Sequence, residues 1–312
     1  MTVTRPARLT GAALCAALAL IAAVWILQDV AALGSPADLA WYWAGDHHFL
    51  IRGRSTTSLI DPVLLAAYAA TVVAALRSRH AAAALAAAGA VTLALRLPGL
   101  WATGSGALVT ALLELALAAG LVLTAVVGRS PAGAPYERTP ARPRTGPAVT
   151  AGILLATAAL VVTLWELYWA GELPLEITVD RFTGGRSIVR PALAPPPGWL
   201  SAITAGLYGT AAVSGLLRAR HARAFGLLAA VFLTAGGLGG VARAVRYETL
   251  TRLGDLTPLD TADVLTAVFE LLAGLAVLVL LAGRDAPAAA PAPYPPGGMR
   301  PPAPPRPTPP GW

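Results

Sequence analysis

The chain has 312 residues, 56% of them hydrophobic and only 12% charged, with a formal net charge of +7 and a mean hydropathy of +0.65. Soluble domains carry about 25% charged residues, so an ordinary soluble domain is excluded and a bilayer is the expected solvent. All 23 basic residues are arginine, which excludes chemistry that needs a lysine Schiff base or a P-loop lysine.

Only helices and closed barrels satisfy their backbone groups in lipid. The apolar runs are about 17 to 24 residues long and lack period-2 alternation, so they read as transmembrane helices. The expected class is an all-α, polytopic integral membrane protein. The lack of lysine, with 31 glycines, 27 prolines and abundant alanine, resembles the residue usage of high-GC bacteria such as actinomycetes. That resemblance is one of composition and points to no family.

Arg5 and Arg8 precede the first apolar run, Thr10 to Leu33. It is longer than the core of a secretory signal, about 7 to 15 residues, and further spans follow, so it is expected to remain as a first helix. Cys15, the single cysteine, lies inside this run. No internal disulfide can form, and it reads as a small packing residue. Seven more spans follow: Leu59 to Leu76, Ala81 to Leu97, Ala107 to Val127, Ala148 to Ala170, Trp199 to Leu217, Ala224 to Val245 and Ala262 to Ala282.

The connectors divide into two kinds. Leu76 to Ala81, LRSRHA, and Leu217 to Ala222, LRARHA, are tight basic turns, whereas Gly34 to Ser58 and Gly171 to Gly198 are long and polar. The first long connector carries Trp41, Tyr42 and Trp43, which fit an interfacial belt on a short helix, and then Asp46, His47 and His48. Adjacent histidines rarely converge on one ion without distant ligands, so no metal site is assigned to them. The second carries PLEITVDRF, whose alternation at Leu175, Ile177 and Val179 predicts a short strand or hairpin. Gly128 to Pro147 is rich in Pro, Gly and Arg and reads as a linker. From Arg284 onward the composition cannot bury a core and predicts a disordered, partly polyproline-II tail. Its P-x-x-P at Pro304 and Pro307, with Tyr294 and Trp312, would suit a cytoplasmic protein partner.

Placing the N-terminus inside puts fourteen arginines, among them Arg77, Arg79, Arg218, Arg220 and Arg223, on the cytoplasmic side against the two acids Glu137 and Asp285. Ten acids then fall outside. Under the positive-inside rule both termini are cytoplasmic in a cell membrane, and the excess charge sets topology and needs no nucleic-acid partner.

The two halves resemble each other. Thr110 to Arg129, TALLELALAAGLVLTAVVGR, returns at Thr266 to Arg284 as TAVFELLAGLAVLVLLAGR, the basic turns match, and Trp25 and Trp165 fall at similar places. Residues 1–127 and 148–283 are expected to be two four-helix units of a tandem, parallel duplication, joined by the linker 128–147 and followed by the tail 284–312. An even number of spans per unit makes the repeat parallel.

Candidate site residues follow from the cost of charge in lipid. Glu114 and Glu270 lie roughly 10 to 12 Å below the outer ends of their spans and must face protein or a water-filled cavity. Asp29 and Glu166 lie near outer helix ends, and Arg96 and Arg243 close the outer ends of the third span of each half. A pairing of Arg96 with Glu114, and of Arg243 with Glu270 in the second half, is expected from arginine's long fork. Gly236 and Gly240 have GxxxG spacing and predict close packing or a hinge.

Three functions follow. A transport-related protein would use an outward-facing polar pocket to bind an ion, protons or a small solute at Glu114 and Glu270. A scaffold or sensor would use its outer loops and proline-rich tail. An outer-face enzyme would use Asp38, Asp46, Glu172, Glu176 or Asp180 as bases, but their spacing shows no arrangement for acid-base work. No catalytic residue, metal or cofactor is assigned, and lipid is the expected surrounding partner.

Overall fold

The computed structural model describes residues 3–46, 55–78, 80–102, 105–129 and 144–283. The interior of the linker, the tail, and His47 and His48 lie outside them. The described chain is all-helical, and its single β-feature is an antiparallel bridge between Val3 and Arg129. The helices are α1 (Arg5–Leu33), α2 (Pro36–Trp43), α3 (Ile60–Arg77), α4 (Ala81–Arg96), the single turn α5 (Gly99–Ala102), α6 (Ser105–Val127), α7 (Thr145–Glu172), α8 (Leu175–Thr183), α9 (Pro197–Leu216), α10 (Ala222–Arg246) and α11 (Pro258–Ala282), with a 3-10 segment at Thr249–Asp255.

Seven helices are long and apolar enough to cross a membrane: α1, α3, α4 with α5, α6, α7, α10 and α11. Eight spans were expected. α9 is long enough at 20 residues but carries Ser201, Thr204, Tyr208, Thr210 and Ser214, and is less apolar than the rest.

Side chains sort by size in a way that suits a lipid solvent. Leu20, Leu123, Leu167, Leu272 and Val279 are exposed on α1, α6, α7 and α11, while Ala75, Ala88, Ala118, Ala158, Ala211, Ala229 and Ala230 are buried. Lipid tails are as apolar as leucine, so helix association depends on small residues that let backbones approach. α4 and α10 are the most buried of the apolar helices.

In each half the first long helix packs on the second, the third on the fourth, the first on the fourth and the second on the third. The halves meet through α3, α4, α9 and α10. The long connectors gather at one end of the bundle, called here the connector end, and the basic turns at the other.

The connector end is stitched across the halves in both directions. Asp46, after α2, accepts from Arg246 Nε at 3.4 Å and Tyr247 Oη at 3.3 Å beyond the end of α10, and Arg246 lies 5.0 Å over the Trp41 ring. From the other half, the Leu193 carbonyl accepts from Arg96 Nη1 at 2.7 Å, its amide donates to Thr56 O at 3.0 Å, and Arg190 donates to Ala102 O. Each half therefore lends its first long connector to the third helix of the other.

Two local expectations change. The Leu175, Ile177 and Val179 segment is the helix α8 and not a strand. Pro174 stands at its N-cap, Glu176 in its first turn, Arg181 in its last, and Gly184 closes it at φ 77°. These are helix start and stop signals, and they override a three-residue alternation. The aromatic triplet does lie on a short helix, α2, started by Ser35 Oγ accepting from Ala37 N at 3.1 Å, but its Tyr42 is buried within protein.

Candidate functional site

Glu114 lies nine residues into α6, about 14 Å along the axis, and is 1% exposed. It does not stand alone. Arg96, 2% exposed at the end of α4, places Nε 2.9 Å from Glu114 Oε2 and Nη2 2.5 Å from Asp61 Oδ1, and Asp61 is 1% exposed in the first turn of α3. The Arg96–Glu114 approach lacks hydrogen-bond alignment at Nε, so it acts mainly as an ion pair. Ser58 N caps Asp61 from behind at 2.6 Å, and Leu193 O takes the remaining Nη1. One turn deeper, Tyr68 and Thr92 share a hydrogen bond at 2.8 Å. Every charge in this cluster has a protein partner, and the hollow beside it, bounded by Leu95, Arg96, Gly99, Ala111 and Leu193 to Pro195, holds only about 10 Å³. The expected Arg96–Glu114 pair is present, and sequence reasoning missed its third member. Asp61 lies within the expected span Leu59 to Leu76 and counts there only among the acids of the outer side, yet an acid beside Pro in the first turn is a helix-start signal.

The second half is built differently. α11 begins at Pro258, four residues earlier than expected, so Glu270 lies twelve residues, about 18 Å, along it. The point of α10 that faces its carboxylate is Gly236, where an added Cβ would stand 3.3 Å from Oε2. A guanidinium stands against the carboxylate of Glu114, and a glycine without a side chain faces that of Glu270. Arg243 is seven residues further along, about 10 Å toward the connector end, and pairs with Asp263 at 3.1 Å, both partly exposed. The expected Arg243–Glu270 pair is therefore not formed, because two helical turns separate them. Among the described residues no hydrogen-bond or ion-pair partner stands beside the Glu270 carboxylate.

What the carboxylate faces is a cavity of about 550 Å³. Gly236, Gly239 and Gly240 line the α10 wall, Asp260, Asp263, Thr266 and Ala267 the α11 wall, Trp165 and Trp169 of α7 and Ser201 of α9 the far side, and Trp43 and Leu59 reach in from the first half. The cavity has this room because the glycines divide their work. Gly237 and Gly240 press on α11, where an added Cβ would meet Leu271 N at 2.2 Å and Ala267 Cβ at 2.6 Å, while Gly236 leaves space. Of the expected GxxxG pair, Gly240 packs and Gly236 lines the cavity.

Asp29 and Glu166 have partners of their own. Asp29, 2% exposed, accepts from Thr56 N at 2.9 Å, Thr57 N at 2.6 Å, Ser55 Oγ at 2.8 Å and Thr57 Oγ1 at 2.5 Å. Thr57 Oγ1 in turn accepts from Trp43 Nε1 at 3.2 Å, so Asp29 fixes one aromatic wall of the cavity without touching it. Glu166 pairs with Arg181 of α8 at 2.6 Å. Among the loop acids, Asp180 accepts from Ser187 Oγ at 2.6 Å and Ser187 N at 3.0 Å, which holds its carboxyl below the usual range. Among the described residues no three of His, Cys, Asp and Glu gather as a metal site would require. Cys15 is fully buried against its neighbours.

Compared with family models, curated proteins and solved structures, the chain matches none.

Proposed function

We propose that the chain is a transport-related membrane protein that binds a small solute or ion in an outward-facing pocket whose polar floor is Glu270. The observation that carries this reading is the contrast between two carboxylates. Glu114 is sealed among Arg96 and Asp61, whereas Glu270 faces a cavity of about 550 Å³ without a partner among the described residues. A carboxylate held in an apolar helix bundle is costly unless it does something there, and cavities of roughly 300 to 1,000 Å³ with a few convergent polar groups are the usual form of small-molecule sites.

The rest of the reading supports it. Eight spans in two four-helix units, 1–127 and 148–283, arise by tandem duplication, with 128–147 as a cytoplasmic linker and 284–312 as a cytoplasmic tail. The shared packing order and the reciprocal clasp by the long connectors favour a parallel repeat about an axis along the membrane normal. α9, the least apolar long helix, lines the cavity through Ser201. Arginine enrichment on the basic-turn side puts that side in the cytoplasm of a cell membrane and the cavity mouth outside.

In this account the ancestral site was copied. One copy became a structural ion cluster that ties α3, α4 and α6 together, and the other kept its carboxylate open. The test is uptake by proteoliposomes over a panel of solutes and a proton gradient. Glu270→Gln should abolish coupled uptake while the protein remains folded. Wild-type uptake from Glu270→Gln vesicles would overturn the reading.

A further inference from the structure

Resting on that reading of the pocket, we infer that its ligand is a small monovalent organic cation, an ammonium or guanidinium compound. The sign follows from the lining. Three carboxyl groups, Asp260, Asp263 and Glu270, meet one guanidinium, Arg243, which is already bonded to Asp263. An anion would meet repulsion there, and a neutral solute would leave Glu270 without a counter-charge inside the bundle.

The chemistry of the cation follows from the other wall. Trp43, Trp165 and Trp169 line the cavity, and indole is the best aromatic partner for an organic cation. Two of the rings are pinned by their polar edges, Trp165 Nε1 to Thr266 Oγ1 at 3.2 Å and Trp43 Nε1 to Thr57 Oγ1 at 3.2 Å. Trp165 and Trp169 lie nearly parallel, 23° apart at 6.5 Å. Such rings lose little freedom when a ligand arrives. A bare calcium or magnesium ion asks for six or more oxygens in a tight shell, whereas among the described residues Asp260, Asp263 and Glu270 do not gather about one point, and the space between the walls is about 550 Å³.

The first half shows the same answer worked out internally. There a planar organic cation, the Arg96 guanidinium, sits against the matching glutamate, and in the second half the facing position is Gly236. The ligand supplies to Glu270 the charge that Arg96 supplies to Glu114.

The test uses the full chain in detergent or nanodiscs and calorimetric titration with choline, guanidinium, the uncharged choline isostere 3,3-dimethylbutan-1-ol, and calcium. Choline or guanidinium should bind saturably. Glu270→Gln and Trp43→Ala should each weaken binding about tenfold or more, and the alcohol should not bind. Gly236→Arg should abolish binding in a folded protein, because it puts the missing cation on the chain itself. The inference is overturned if the alcohol binds as well as choline, if calcium binds while both organic cations do not, or if Glu270→Gln binds choline like the parent. Saturable choline binding without uptake in proteoliposomes would sink the transport reading and leave this inference standing. Glu270-dependent uptake of other solutes with no organic cation bound would do the reverse.

Discussion

Glu114 and Glu270 occupy matching places in two similar helices, but Arg96 stands 2.9 Å from the first and Gly236 faces the second. The Arg96 guanidinium, held also by Asp61 and Leu193 O, seals the first carboxylate in an ion cluster, whereas the second faces an open cavity. The consequences of that difference are distinct for stability and for binding.

The cluster should matter to folding. Arg96→Ala leaves Asp61 and Glu114 buried without their cation, and breaking a buried pair in this way costs about 3 to 5 kcal/mol. Thermal unfolding in a mild detergent should show a large loss for Arg96→Ala and much of it regained when Asp61→Asn and Glu114→Gln are added. Glu270→Gln should leave the melting temperature within the scatter of surface substitutions, about 0.5 kcal/mol. Equal losses for Glu114→Gln and Glu270→Gln would mean that both glutamates serve structure.

The glycines of α10 should separate likewise. At Gly237 an added Cβ would meet the Leu271 amide nitrogen at 2.2 Å, and backbone cannot move aside cheaply. Gly237→Val should cost about 3 kcal/mol or more by forcing α10 from α11. At Gly236 the nearest atom is the end of a flexible side chain, Glu270 Oε2 at 3.3 Å, so Gly236→Ala should unfold at nearly the parent temperature. Similar melting points for the two variants would contradict the division of labour among these glycines.

How much of this was legible in the sequence depends on the distance over which a signal acts. Apolar runs located the helices to within a few residues, because each run is its own evidence. The Arg96–Glu114 pair could be read because α4 and α6 are joined by a short connection. Arg243 was misassigned because sequence gives its helix but not its height: seven residues from Gly236 place it about 10 Å away, beside Asp263. The clasp of Leu193 on Arg96 spans 97 residues, and nothing local announces it. Trp43 reads as a belt aromatic, and only the packing of the two halves turns it into a cavity wall.

Asp29 should act on the cavity at one remove. Asp29→Ala frees Thr56 N, Thr57 N and Thr57 Oγ1, and leaving such donors unmet costs about 1 to 3 kcal/mol. Hydrogen exchange should accelerate at the Thr56 and Thr57 amides, and Trp43 should lose its fixed orientation. Unchanged protection of those two amides would show that other contacts hold the segment.

One pH effect can be placed at the connector end. Ser187 stabilises the ionised form of Asp180, so the folded pKa lies below the unfolded one. A depressed carboxylate contributes stability above its unfolded value, about 3.9, and loses it as pH falls through the folded value. The 180–187 turn should therefore be indifferent to pH between about 8 and 5 and should loosen in stronger acid. Ser187→Ala should move the Asp180 titration, followed by carboxyl carbon NMR, upward toward the ordinary value. An unmoved titration would remove Ser187 as the cause.

The central claim, that Glu270 looks into a water-filled cavity open to the outside, can be put to one direct measurement. Cys15 is the only native cysteine and is fully buried, so Cys15→Ala gives a blank background into which Glu270→Cys is introduced. A membrane-impermeant thiol reagent applied to intact cells should label position 270, and added choline should slow the labelling. No reaction in intact cells, with reaction only after the bilayer or the protein is disrupted, would contradict the account.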